Sequence, residues 1–141
     1  MYLSLPRWLI IATVMMSHAI NEGIIKFVVE RNGIERQKTK GEERSIEELI
    51  NELREKNYIS KDCAYASKRI WESHRNDIHH MNPKVAQIPF KDLAQRNIKH
   101  LSTIEQEIFG CHYSNGAIVC HQPKYWDKNP DGTVNTFLRL E

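Results

Sequence analysis

Apolar residues in the first third of the chain crowd into one run. Trp8 to Met16 is almost unbroken, and the pattern continues through Ile20, Ile24, Phe27 and Val28. Pro6 suits a first-turn position and Asn32-Gly33 a stop, so the pattern predicts one long helix over about 6–31. With apolar residues on all its sides, that helix is expected to lie centrally in a core. Residues 34–44 are polar and charged and read as an exposed loop. Ser45-Ile46-Glu47-Glu48 is then a capping box, followed by a helical stripe of Ile46, Leu49, Ile50 and Leu53 through Lys56.

Ile59-Ser60-Lys61-Asp62 reads as a turn with a new cap. A third helix through Ala64, Ala66, Ile70 and Trp71 is expected to carry residues 75–80 at its end, before Pro83 disfavours continuation. A fourth helix begins near Asp92, with Leu93, Ile98, Leu101, Ile104 and Ile108 as its stripe and Gly110 as its stop. Beyond it, 117–120 and 133–138 read as short strands joined by the turn Asn129-Pro130-Asp131-Gly132. The expected architecture is all-α, a four- or five-helix bundle over 1–110, with a short C-terminal β-hairpin appendage over 111–141.

The bulk properties fit this. The chain has 141 residues, enough for one domain with its own core. Hydrophobic residues are 40% and charged residues 27%, as in soluble globular proteins. The net charge of +2 and pI near 8.4 permit nucleic-acid binding without demanding it. Three cysteines make no disulfide framework, which points to a reducing, cytoplasmic setting. The apolar run at 8–16 is followed by Ser17, His18, Asn21, Glu22 and Lys26. It therefore falls short of the roughly 20 apolar residues of a spanning helix, and no membrane role is expected. A signal peptide, with Arg7 before the run, is the weaker alternative.

The densest chemistry is Arg75-Asn76-Asp77-Ile78-His79-His80. It brings a permanent cation, an amide and titratable imidazoles within two helical turns. Such a set can hold a phosphate and move a proton beside it. Arg75 and His79 share a helix face; His80 is displaced by about a hundred degrees. Either imidazole reaches the guanidinium if the helix loosens before Pro83.

This arrangement resembles the HEPN superfamily, whose signature is an arginine, commonly followed by a polar residue such as asparagine, and a histidine shortly after. Arg75, Asn76 and His80 fit it with the shortest spacing. The layout over about 5–109 is also similar: a long first helix bearing an acidic residue (Glu22), a capped second helix, and a third ending in the motif. The resemblance implies a homodimer with the motifs facing each other, and often a metal-independent endoribonuclease of a defence or toxin–antitoxin system, with an antitoxin protein as partner. It implies catalytic roles for Arg75, His80 and Asn76. His80 would act as general acid or base on a ribose 2′-hydroxyl, Arg75 would stabilise the transition-state charge, and Asn76 would orient the phosphate. The products would be a 2′,3′-cyclic phosphate and a 5′-hydroxyl, with no metal or other cofactor. His79, Glu22 and Asp77 are further candidates. The tyrosine that some toxin members carry two residues after the histidine is Asn82 here, which argues against inactivation through that residue. The reading is thus an endoribonuclease or RNA-binding effector using Arg75 and His80; the competing reading is a non-catalytic helical adaptor or regulatory subunit that binds a nucleotide or a protein.

Three other patterns carry weaker signals. Arg96-Asn97-Ile98-Lys99-His100 imitates the motif but reads as a solvated helix face. Cys111-His112 and Cys120-His121 are zinc-type residues, yet neighbours on a strand face opposite sides, which disfavours one shared ion. Tyr113, Tyr125, Trp126, His121, Lys124 and Lys128 form an aromatic-basic group, read as a packing face in preference to a base-stacking platform. Glu22 has two candidate partners, the motif cations and Lys26 at i, i+4.

Overall fold

The computed structural model describes residues 6–127. Helix α1 spans Arg7–Arg31, and Pro6 precedes it without a side-chain cap. Val14, Ile24, Ile25, Val28 and Val29 are buried along it. It is not buried all round, contrary to expectation. Trp8 is 69% and Met16 61% exposed, and Met15 and Ile20 are exposed too. The apolar content of the first half exceeds what the neighbouring helices can cover. By length and composition alone α1 could cross a membrane, a test that a soluble core helix also passes.

Helix α2 (Ile46–Glu55) starts at the expected capping box. Ser45 Oγ accepts from the Glu48 amide at 3.2 Å, and the Glu48 carboxylate accepts from the Ser45 amide at 2.9 Å. Ile46, Leu49, Ile50 and Leu53 are all buried, as one stripe should be. Helix α3 (Lys61–Trp71) is capped by Ser60, whose hydroxyl accepts from the Cys63 amide. α1 packs on α2 and α3, and α2 on α3.

The motif is not the end of α3. The chain breaks at Glu72-Ser73-His74, and His74 takes a left-handed conformation (φ 56°). Ser73 Oγ donates to the Ile70 carbonyl at 2.6 Å, and the Ser73 amide donates to the same oxygen at 3.1 Å, which closes the last turn of α3. A separate short helix, α4 (Arg75–His79), follows and packs on α1. Asn82 then caps a 3₁₀ turn over Pro83–Gln87.

Helix α5 (Phe90–Phe109) buries Leu93, Ala94, Ile104 and Ile108. Here the expected stripe needs correcting. Ile98 is 53% exposed, while Asn97, assigned to a solvated face, is 1% exposed. Val14, Ile78, Ile88, Phe90, Leu93 and Ala94 form a small core that anchors α4 through Ile78.

The described residues fall into two compact units, the second beginning at Glu105. In the second unit, β1 (Cys111–Ser114) pairs antiparallel with β2 (Ala117–Cys120). The expected strand at 117–120 is present, and it pairs with 111–114, a segment that the sequence pattern does not assign to a strand. The turn is Asn115-Gly116, both at positive φ (50° and 79°), as a two-residue hairpin loop requires. The turn at 129–132 and the strand at 133–138 lie outside the described residues.

Candidate functional site

Two helix faces meet at i, i+4 spacing. α1 presents His18 and Glu22; α4 presents Arg75 and His79. Because the spacings match, two rungs form. Arg75 Nη2 donates to Glu22 Oε2 at 3.1 Å. His18 Nδ1 and His79 Nε2 lie 3.4 Å apart, with ring centroids at 5.5 Å.

His18 is 1% exposed. Its Nε2 lies 3.1 Å from the Ser73 carbonyl oxygen and 2.9 Å from Ser73 Oγ. A carbonyl can only accept, so Nε2 carries the proton and Nδ1 of the neutral ring offers its lone pair to His79. Burial is the main force pushing the His18 pKa down, to about 4, and the neighbouring His79 and Arg75 add to it. At neutral pH His18 is therefore an uncharged acceptor that aims the His79 ring. With Nε2–H directed at His18, neutral His79 keeps a lone pair on Nδ1. Its side chain is exposed. The 3.4 Å separation is long for a hydrogen bond.

Ser73 ties the site together. Its hydroxyl accepts from His18 and, at 3.1 Å, from Asn97 Nδ2. Asn97 Nδ2 also donates to Ser17 Oγ at 2.9 Å. Asn21 and Ser67 form a second buried pair, in which the Ser67 hydroxyl donates to Asn21 Oδ1 at 2.7 Å. Polar groups buried this deeply cost stability unless paired, and these are.

Arg75 is held on two sides. Its guanidinium lies 4.4 Å from the Trp71 ring centroid, and Glu22 bonds one end. Its Nε is buried with no hydrogen-bond partner among the described residues. Glu22 also pairs with Lys26 at 2.8 Å, so both of its expected partners engage it. The hydrogen bond from Lys26, with the charges of Lys26 and Arg75, holds the Glu22 carboxyl below its ordinary pKa against the opposing effect of burial.

The other named residues divide. Asn76 is exposed and lines, with Arg75, Trp71 and Asp77, an open cavity of about 300 Å³. Asp77 lies 3.8 Å from His74 Nδ1. His80 ends α4 and is exposed; no hydrogen bond or ion pair of its side chain occurs among the described residues. The imidazole brought into the network is thus His79, with His18 and Asn97 as members that sequence reasoning missed.

In the second unit, the His112 and His121 ring centroids are 5.4 Å apart. Cys111 and Cys120 are register partners and free thiols. Among the described residues no three His, Cys, Asp or Glu side chains cluster as an ion would require. Tyr125 is buried and Tyr113 is 75% exposed, so the aromatic-basic group does not act as one face. Lys128 lies outside the described residues.

The His18 burial carries a pH prediction. The unfolded ring titrates near 6.5 and the folded one near 4, so below 6.5 the unfolded chain binds the extra proton. Stability therefore falls as pH drops from 6.5 towards 4, by about 3 kcal/mol from this group at roughly 1.4 kcal/mol per unit. Urea midpoints across that range should fall steeply for the wild type and less for His18→Gln. Parallel curves would show that His18 is not the source.

Comparison with family models, with curated proteins and with solved structures gives no match.

Proposed function

We propose that this chain is a metal-independent endoribonuclease of HEPN type, cytoplasmic and homodimeric, acting in a defence or toxin–antitoxin system. The observation that carries the reading is the pair of rungs, Glu22–Arg75 and His18–His79, which sets a guanidinium and an aimed imidazole on neighbouring positions of one short helix. Arg75 is oriented before any substrate arrives, and preorganised charge is what stabilises a phosphorane-like transition state. The geometry favours His79 over His80 as the working base.

In this mechanism His79 Nδ1 takes the proton of a ribose 2′-hydroxyl. The 2′-oxygen attacks phosphorus and the bond to the 5′-oxygen breaks. A protonated imidazole, from His80 or from the site of a second copy, donates to that leaving oxygen. The products are a 2′,3′-cyclic phosphate and a 5′-hydroxyl. Arg75 meets the added charge on the non-bridging oxygens, and Asn76 at the cavity wall orients them. An antitoxin protein would act by covering this open face.

The adaptor reading draws on one observation. Glu22 already neutralises part of Arg75, as a purely structural ion pair would. The two are separated by incubating the protein with total RNA in chelator. The enzyme reading expects fragments ending in cyclic phosphate; intact RNA at high protein concentration would leave the adaptor.

A further inference from the structure

A second cavity, of about 190 Å³, opens beside the site. His74 and Glu72 line both cavities, so the two are neighbours. Arg69 from α3 and Arg96 and His100 from α5 line this second one, and Ser73 and Asn97 reach it from the buried network. Glu72 is the single carboxylate in its wall. Among the described residues neither Arg69 nor Arg96 forms an ion pair, and both are exposed. Two unneutralised guanidiniums in one cavity create a field that attracts anions. The His100 ring registers that field. Its pKa is lowered first by burial and then by Arg69, Lys99 and Arg96.

An aromatic side chain meets one of the lining residues, His100. Tyr65 lies one helical turn before Arg69 on α3 and is 61% exposed. Its ring meets His100 edge-on, with centroids 6.0 Å apart. An exposed tyrosine is a large apolar surface left in water, and nucleobases stack on such rings whatever their sequence.

We propose that this cavity is a nucleotide subsite for single-stranded RNA: Arg69 and Arg96 hold a backbone phosphate, and Tyr65 stacks the attached base. The subsite rests on reading the neighbouring Arg75–His79 face as an RNA-cleaving centre and supplies what that centre lacks, a grip on the strand beside the scissile bond. It also gives the Arg96–His100 segment a role: Asn97 turns inward to brace Ser73 while Arg96 and His100 turn to the cavity.

The test separates grip from cut. A fluorescein-labelled 2′-O-methyl RNA hexamer cannot be cleaved through its 2′-oxygen, so its anisotropy with the full chain in chelator reads binding alone. The wild type should bind it with an affinity that falls as salt rises. Tyr65→Ala should weaken binding about tenfold, and Tyr65→Phe should restore it. The double variant Arg69→Ala, Arg96→Ala should flatten the salt dependence by roughly one phosphate contact. All three variants change exposed positions only and should leave the thermal midpoint unchanged. Absence of wild-type binding, or variants that bind like the wild type, overturns the subsite. Binding that behaves as stated while unmodified RNA stays uncut would keep the subsite and remove the nuclease reading.

Discussion

His79→Ala is expected to lower the rate of RNA cleavage in chelator by about 10²–10⁴-fold, the usual contribution of a positioned general base. His80→Ala should cost far less. The difference lies in what holds each ring. His79 Nε2 faces His18 Nδ1, and His18 is fixed in turn by Ser73, which is fixed by Asn97. The His80 side chain has no such support among the described residues. His79 is exposed, but its truncation removes the partner of buried His18 Nδ1, so the thermal midpoint should fall modestly and the rates are compared well below it. Single-turnover rates for the two variants check this. A larger loss at His80 would mean that the pairing with His18 is purely structural.

Arg75→Ala should lower the same rate by about 10²–10³-fold, the cost of removing one donor aimed at developing negative charge. The fold should survive because Glu22 keeps Lys26 at 2.8 Å and is not left as an uncompensated charge. Arg75→Lys should recover little activity. An ammonium cannot both bond Glu22 and present further donors in a fixed fork, and it loses the planar stacking on Trp71. KM should change less than kcat, since the interaction strengthens as charge builds in the transition state. Full activity of Arg75→Lys would reduce the arginine to a general positive charge.

Much of the helical scaffold was legible because it is written in short-range terms. The capping box at Ser45–Glu48 and the Ile46–Leu53 stripe fix α2 without reference to the rest of the chain. The stop at Asn32-Gly33 likewise closes α1. The break before α4 was not legible, because it depends on Ser73 turning to the Ile70 carbonyl while accepting from His18 and Asn97, partners distant in sequence. His18 was hidden by its setting as one histidine in an apolar run. A signal existed nonetheless: His18 and Glu22 repeat the i, i+4 spacing of His79 and Arg75, so two helices carry complementary polar pairs. Asn97 belongs to a mid-helix polar segment that reads as a solvated face, yet it lies four residues from Leu93 and seven from Ile104, on the buried stripe. In the hairpin, Asn115-Gly116 is the pair that fits a two-residue loop between 111–114 and 117–120.

The central claim is that an arginine and an aimed histidine on one short helix break a ribose-linked diester without metal. It is tested most directly with a DNA oligonucleotide carrying a single ribonucleotide, incubated with the protein in chelator and analysed by mass spectrometry. The account predicts one cut, immediately 3′ of the ribonucleotide, leaving a 2′,3′-cyclic phosphate and a 5′-hydroxyl. An uncut oligonucleotide, or cleavage at deoxynucleotides, would contradict it.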